Sequence, residues 1–411
     1  MYILALNCGS SSLKYSVYDV DSASVLVSGL VEKVGSENSF LTQKYPDGTK
    51  QRKDVAMRNH DDALTEVINM LRDASIDLTQ IQGVGHRVVL GGEKFKSSVE
   101  INDEVIKTID ELSAIVPLHN PAGLAGIIAA KQLLPMATQV AVFDTAFFST
   151  MPDYAYRYAV PNAWYKELGV RKYGFHGTSH LYVSKRAAKM LGKDAPNLIT
   201  MHIGSGASAA AIRGGVAVDT SLGMTPLSGL TMGTRPGDID PGVIIYVQQQ
   251  LGLSADMVQK ILNKESGHLG LTECFADRRD LEENRSTNPD CQLALDIEAN
   301  NAKKYIGAYL AELGHTDAIV FTAGVGENDD YLREKICSGL EELGIKLDAD
   351  KNAAGLARKN AGEVEISTDD SRVKILMIPT NEEQVIIEDT IAIMNGSYNP
   401  DHMKMEYSFA K

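Results

Sequence analysis

The sequence predicts an α/β fold built twice along one chain, and three observations point to it. Ile3–Leu6 is a short apolar run, Cys8–Ser12 a turn of small residues, and Leu13–Tyr18 a run of alternating character: strand, turn, strand. The same order returns at Leu198–Ile203, Gly204–Ala207 and Ser208–Ile212, followed by a tight turn at Arg213–Gly215 and a third strand at Val216–Thr220. Each opening leads into helices that alternate with buried strands, the pattern of a sheet covered by helices. At 411 residues the chain can fill two or three domains with a sizeable core.

In the first half, Val25–Val34 and Phe40–Tyr45 read as extended. Asp61–Arg72 has helical spacing, with Leu64, Val67, Ile68 and Leu71 on one stripe and Asp61 or Asp62 as the cap. Gly83–Leu90 returns to strand. Asn120 before Pro121 opens a helix that runs through Leu134, and Gln139–Phe143 is a buried strand. In the second half, helices are expected at Pro241–Leu251 after Asp240, at Asp290–Leu313 ending at Gly314, and at Asn328–Leu343 ending at Gly344. The strand Ala318–Thr322 precedes AGVGEN, and a last helix spans Asn381–Met394. No composition-biased linker is present, so the boundary is expected in the proline-bearing stretch Met151–Pro161. This gives an N-terminal domain over 1–150 and a C-terminal domain over 151–383, with the segment from about 384 to 411 packing back on the first.

Composition narrows the function classes. The hydrophobic fraction of 44% and charged fraction of 23% are those of an ordinary globular protein. A formal net charge of −14 argues against a nucleic-acid or anionic-membrane partner. No run approaches a membrane span, and no leader pattern opens the chain. Cys8, Cys274, Cys291 and Cys337 have neither zinc-ligand nor disulfide-framework spacing. The cytoplasm is the expected compartment.

Two loops carry phosphate-binding chemistry. In Asn7-Cys8-Gly9-Ser10-Ser11-Ser12 with Lys14 beyond, and in Gly204-Ser205-Gly206-Ala207-Ser208, small residues let the backbone approach a ligand so that N–H groups and hydroxyls can donate to phosphate oxygens. The second loop also fits G-x-G-x-x-A, but strand rather than helix follows it, which excludes a dinucleotide fingerprint. No Walker-type loop and no G-x-S-x-G elbow occur. His86-Arg87 ends an apolar strand, Arg235 sits in the glycine- and proline-rich MGTRPGDIDP, and Asp144 follows the buried strand VAVFD. His176 and His180 in FHGTSH have i, i+4 spacing, but no glutamate stands between them. Thr178 or Ser179 is expected to cap a helix there, leaving His180 a capping or structural residue. His119 and His202 stand beside turns.

Together these segments resemble the acetate kinase family, within the superfamily of acetate and sugar kinases, heat-shock chaperones and actin. The carrying segments are LALNCGSSSLKYSVYD, GHRVVLGGEKF, PLHNPAGL, VFDTAFFSTMP, YGFHGTSH, DTSLGMTPLSGLTMGTRPGDIDPG, VFTAGVGEN and IPTNEE, in order over nearly the whole chain. The resemblance implies duplicated ribonuclease H-like (actin-like ATPase) domains with an active-site cleft between them. It implies reversible, Mg²⁺-dependent (or Mn²⁺-dependent) transfer of the ATP γ-phosphoryl group to acetate, giving acetyl phosphate and ADP, in a homodimer.

The resemblance also assigns residues. Asn7 and Glu382 match the magnesium positions, and Ser10, Ser12 and Lys14 the first phosphate loop. Arg87 and Arg235 match the arginines that hold the substrate carboxylate and transferring phosphoryl group, Asp144 the essential aspartate, and His176 the histidine that steadies the transition state. Val89, Leu118, Phe175 and Pro226 match the pocket for the acetate methyl group. His202, Ile203, Gly204, Ser205 and Gly206, then Asp277, Arg278 and Arg279, and finally Gly324, Val325, Gly326, Glu327 and Asn328 match the ATP-binding segments. Three positions depart from the family pattern: Ser205 replaces a usual asparagine, Ser228 a common glutamate and Ala323 a frequent glycine. A propionate kinase of the same family shares every motif, and a non-catalytic actin- or chaperone-like nucleotide switch would share the duplicated fold but not the arginines and acid pocket.

Overall fold

The structure is a computed structural model that describes residues 1–359 and 362–411. It divides into two compact units: Met1–Ser149 with Asn381–Ser408, and Thr150–Thr380 with Phe409–Lys411.

The first unit is built on an eight-stranded sheet. Its strands are β1 (Tyr2–Gly9), β2 (Ser12–Asp19), β3 (Ser24–Glu32), β4 (Phe40–Lys44), β5 (Lys50–Asp54), β6 (Ile81–Val88), β7 (Val99–Glu100) and β8 (Thr138–Phe143), in the spatial order β5-β4-β3-β2-β1-β6-β8-β7. β1 to β5 form an antiparallel meander, whereas β6 runs parallel to β1 and β8 parallel to β6. Both faces are covered. Leu4 and Leu6 of β1 join the cluster that holds Leu64, Val67 and Leu71 of the helix His60–Asp73 and Ala129 of the helix Asn120–Leu133. Ile3 and Ala5 point the other way, onto Ile386 and Ile387 of the helix Glu382–Met394. The period of two in the side chains of one strand thus serves two helical layers.

The second unit has a six-stranded sheet of β9 (Leu198–Ile203), β10 (Ala207–Arg213), β11 (Val216–Thr220), β12 (Ala318–Thr322), β13 (Val364–Glu365) and β14 (Lys374–Met377), ordered β11-β10-β9-β12-β14-β13. β9, β10 and β11 are antiparallel neighbours, and β12 and β14 continue in parallel. The order β11-β10-β9-β12-β14 therefore repeats β3-β2-β1-β6-β8 in sequence, direction and position of the opening hairpin. Every residue of β9 and β12 is buried, including the polar Thr200, His202 and Thr322, so both strands are covered on both faces.

Several boundaries differ from the sequence expectation. The first helix is capped by Asn59, whose side chain accepts from the Asp62 N–H, rather than by either aspartate. Asn120 lies inside its helix, and His119 holds the cap position without a side-chain bond. AGVGEN is itself a short helix, Ala323–Asn328, and the expected 328–343 helix is shorter, Asp330–Cys337, started by the Asp329 cap on the Leu332 N–H. Ala323 enters that turn at φ 66, a left-handed conformation that costs a residue with a Cβ about 1–2 kcal/mol. All four cysteines are free thiols.

Candidate active site

In the first unit, the expected site residues meet at the C-terminal ends of parallel strands. Asn7 lies near the end of β1, Arg87 is the penultimate residue of β6, and Asp144 follows β8 directly. Parallel pairing sets Arg87 beside Val142, and the Asp144 N–H donates to the Val88 carbonyl at 2.9 Å, which locks the end of β8 against β6. Arg87 donates from Nε to Asp144 Oδ1 at 2.9 Å and from Nη2 to Oδ2 at 2.5 Å, a two-pronged fork. Its Nη1 reaches Asn7 Oδ1 at 3.2 Å, and Glu382 stands 3.9 Å away, at the start of the helix Glu382–Met394. Lys14, exposed beyond the β1–β2 turn, pairs with Glu383. The Asp144 side chain is fully buried and that of Arg87 is 19% exposed. Burial pulls the Arg87 pKa down, but Asp144 and then Glu382 outweigh it and hold the guanidinium above its ordinary value.

Ser10 and Ser12 flank the same hairpin turn, where β1 and β2 close through the Gly9–Ser12 pair. Val89 is buried just past β6, while Leu118 is exposed. Asn120 accepts from the Leu90 N–H and donates to the Leu90 carbonyl, both at 3.1 Å, so the loop after β6 is clipped to a helix start.

In the second unit, the turn between β9 and β10 carries Gly204, Ser205 and Gly206. Gly206 lies close to two site side chains: a Cβ there would lie 2.9 Å from Arg235 Nη2 and 3.3 Å from His176 Nε2. Arg235 and His176 therefore lie against the phosphate-type loop itself. Arg235 donates to the Pro226 carbonyl at 2.7 Å and pairs with no carboxylate among the described residues. Burial lowers its pKa, so the charge is held in a site that favours an incoming anion. Phe175, 1% exposed, precedes His176 in the chain. His176 stacks on His202, with ring centroids 4.1 Å apart and planes 19° from parallel.

The helix Gly177–Leu191 starts differently from expectation. Its cap position is His176, in the left-handed conformation and with no side-chain cap bond. Ser179 instead bonds His202 Nδ1 and Thr380 Oγ1, each at 2.8 Å, and His180 is fully buried rather than a cap. Thr178 is buried as well.

A cavity of about 680 Å³ opens beside the same loop. Of the residues expected to hold the nucleotide, Gly204, Ser205, Asp277, Arg278, Arg279, Gly324, Val325 and Asn328 line it. His202, Ile203, Gly206, Gly326 and Glu327 do not; Ile203 is buried in β9, and the Glu327 carboxylate accepts the Thr380 N–H at 2.9 Å, with burial raising its pKa. Asp277 caps the helix Arg278–Asn284, and hydrogen bonds from Arg279 lower its pKa to about 2. Arg278 is buried against Glu298, its Nε 2.7 Å from Oε2. Sequence reasoning missed Gly233, Thr234, His268 and Glu298 on this wall. The first two adjoin Arg235 and could have been included with its loop. His268 and Glu298 lie in helices and carry no local signal.

The chain matches the Acetokinase family over residues 2–388. The chain belongs to that family. An acetate kinase of Trichlorobacter lovleyi is 51% identical over 418 aligned residues, covering 100% of this chain and 99% of its own length. A crystal structure of Porphyromonas gingivalis acetate kinase superposes with a TM-score of 0.88 at 45% identity, covering 96% of this chain and 99% of that one. A propionate kinase structure from Francisella tularensis gives the same TM-score at 39% identity, covering 94% and 97%. The repeated β3-β2-β1-β6-β8 arrangement is the actin-like ATPase fold typical of acetokinases. ATP is the co-substrate that membership in this kinase family implies.

Proposed function

We propose that the chain transfers the γ-phosphoryl group of ATP directly and in line to acetate, giving acetyl phosphate and ADP, and that the reaction is reversible. Identity of 51% to an acetate kinase along the full length carries this reading. The propionate kinase alternative has a lower identity behind it, 39%.

Phosphoryl transfer needs positioned donors and neutralised charge more than covalent help. Arg87, held by Asp144 through Nε and Nη2, keeps its remaining N–H groups for an anionic group, and Arg235 supplies a second guanidinium with no carboxylate partner among the described residues. Acetate is already ionised at neutral pH, so Asp144 has an arginine to orient rather than a proton to abstract. Ser10, Ser12 and Lys14 take phosphate oxygens, and the 680 Å³ cavity takes the nucleotide.

Mg²⁺ fits the oxygen donors present. Asn7 Oδ1 and the Glu382 carboxylate both lie against Arg87, a hard-ligand pair of the kind that holds Mg²⁺ with help from waters and phosphates. When bound, the ion neutralises phosphate charge. The same reading places the enzyme in the cytoplasm, where ATP is available and the four thiols stay reduced.

A second copy of the chain is the proposed partner. The helix Pro241–Leu251 has no buried residue, yet it presents Val243, Ile245, Tyr246 and Leu251 at 48–69% exposure. Such an apolar surface is covered in a symmetric pair. Ile245→Glu is expected to shift the species seen by light scattering from dimer to monomer. No helix among the described residues is long and apolar enough to cross a membrane.

The direct test of the activity is hydroxylamine trapping of acetyl phosphate from acetate, ATP and Mg²⁺. Acetate-dependent hydroxamate is expected; its absence with active, folded protein would remove the assignment.

A further inference from the structure

A chain of hydrogen bonds runs from the core of the second unit to His176. Thr200 Oγ1 on β9 lies 2.7 Å from His180 Nδ1. His180 Nε2 lies 2.8 Å from Ser208 Oγ on β10, and Ser208 Oγ lies 2.9 Å from His176 Nδ1. Thr200, His180 and Ser208 each have no exposed surface. The motif reading gives Thr200 no part and counts Ser208 as the last residue of the second phosphate-type loop, whereas the Ser208 hydroxyl bonds the two histidine rings.

The direction of these bonds is determined by counting protons. Among the described residues, Thr200 Oγ1 has His180 as its one hydrogen-bond partner, and Ser208 Oγ has the two ring nitrogens. Burial, and then the neighbouring His202, hold the His180 pKa well below the ordinary histidine value, so the ring is neutral and carries one proton. If that proton sat on Nδ1, it would go to Thr200 Oγ1, and the Thr200 hydroxyl proton would be buried with no acceptor. A buried donor without a partner bears its full desolvation cost. The arrangement that satisfies every donor has Thr200 O–H donating to His180 Nδ1, His180 Nε2–H donating to Ser208 Oγ, and Ser208 O–H donating to His176 Nδ1. Nδ1 of His176 is then an acceptor, and the proton of its neutral ring sits on Nε2.

Nε2 is the nitrogen that faces the phosphate-type loop, where a Cβ on Gly206 would find it at 3.3 Å with Arg235 Nη2 at 2.9 Å. We propose that Thr200, His180 and Ser208 are positioning residues that lock His176 in its Nε2–H form, so that His176 and Arg235 both donate to the transferring phosphoryl group at Gly206. Stacking on His202 fixes the plane of the ring, and the Ser208 bond fixes its tautomer. A donor already carrying its proton in the right place costs no reorganisation when charge develops. The kinetic part of this proposal rests on the phosphoryl-transfer function; the tautomer does not.

The test is nitrogen NMR of the full chain with isotope-labelled histidine, in the absence of substrates, with the His176 signal assigned by its loss in His176→Asn. Wild-type protein is expected to show His176 as the Nε2–H tautomer, and the Nδ1–H tautomer would overturn the proposal. Thr200→Val keeps the volume but removes the far hydroxyl, two side chains away from His176. It is expected to mix the His176 tautomers and to lower kcat about tenfold, with KM for acetate and ATP unchanged. Thr200→Ser, which restores the hydroxyl, is expected to return both to wild-type values. An unchanged His176 spectrum in folded Thr200→Val would also overturn the chain. If acetate proves not to be the substrate, the NMR outcome still stands or falls on its own.

Discussion

The guanidinium of Arg87 grips both carboxylate oxygens of Asp144, at 2.9 and 2.5 Å, from the ends of two adjacent parallel strands. The pair is the best-defined ionic contact in the first unit's site: Asp144 is fully buried, and a third donor of the same arginine reaches Asn7. An arginine held this way cannot swing to solvent when a negatively charged substrate is absent. Asp144→Asn keeps the shape and removes the charge, so one prong of the fork meets an amide N–H. It is expected to lower kcat about 10²-fold, the scale of a displaced transition-state donor, while far-ultraviolet circular dichroism stays native. Full activity in this variant would contradict the orienting role.

Arg235 is the opposite case, a partly buried guanidinium bonded to the Pro226 carbonyl and lowered in pKa by burial. Arg235→Ala is expected to reduce kcat by about 10²-fold or more. Arg235→Lys restores a point charge but not the planar fork, so it is expected to recover less than about tenfold of that loss. Steady-state rates of the two variants separate charge from geometry.

Much of this was legible in the chain before any fold was known. The strands Ala318–Thr322 and Val216–Thr220 and the helix Pro241–Leu251 lie where the apolar runs and caps placed them. Arg87, Asp144 and Arg235 were conspicuous because strand ends and glycine-rich loops are where reactive side chains are displayed. The Thr200–His180–Ser208 connection was not legible. His180 is joined to Ser208 and Thr200 across 28 and 20 residues, and nothing in a strand reading of Leu198–Ile203 marks one threonine as a donor. His268 and Glu298 escaped for the same reason, since helix periodicity reports which face is buried and not what that face touches.

The phosphate-side loop offers a test of the departure at Ser205. That residue is exposed, sits in the β9–β10 turn and lines the 680 Å³ cavity. Ser205→Asn lengthens the polar reach by one atom and adds an amide donor. KM for ATP is expected to fall about threefold with kcat and KM for acetate unchanged, a change of less than about 1 kcal/mol in nucleotide binding. A rise in KM for ATP would show that Ser205 is not set against the nucleotide.

Acid dependence should carry the mark of Asp389. This carboxyl is buried on the helix Glu382–Met394, accepts from Ser98 Oγ at 2.6 Å and Tyr407 Oη at 2.9 Å, and has its pKa raised to about 6, chiefly by burial. A folded-state pKa above the unfolded one means that the folded chain binds the proton more tightly. The contribution of Asp389 to stability is therefore fully present below pH ~4 and lost as pH rises through about 6, a swing of about 3 kcal/mol. Denaturant unfolding of the wild type and Asp389→Asn at pH 5 and pH 8 checks this: the wild type should gain on the variant at the lower pH. An equal difference at both values would contradict it.

Acid length is the most direct test of the function as a whole, because the fold and the arginines would serve any short carboxylate. The measurement is kcat/KM for acetate, propionate and butyrate with ATP and Mg²⁺ in a coupled ADP assay. Acetate is expected to be the best substrate, with a fall of about tenfold for each added methylene. A higher kcat/KM for propionate or butyrate would contradict acetate as the substrate.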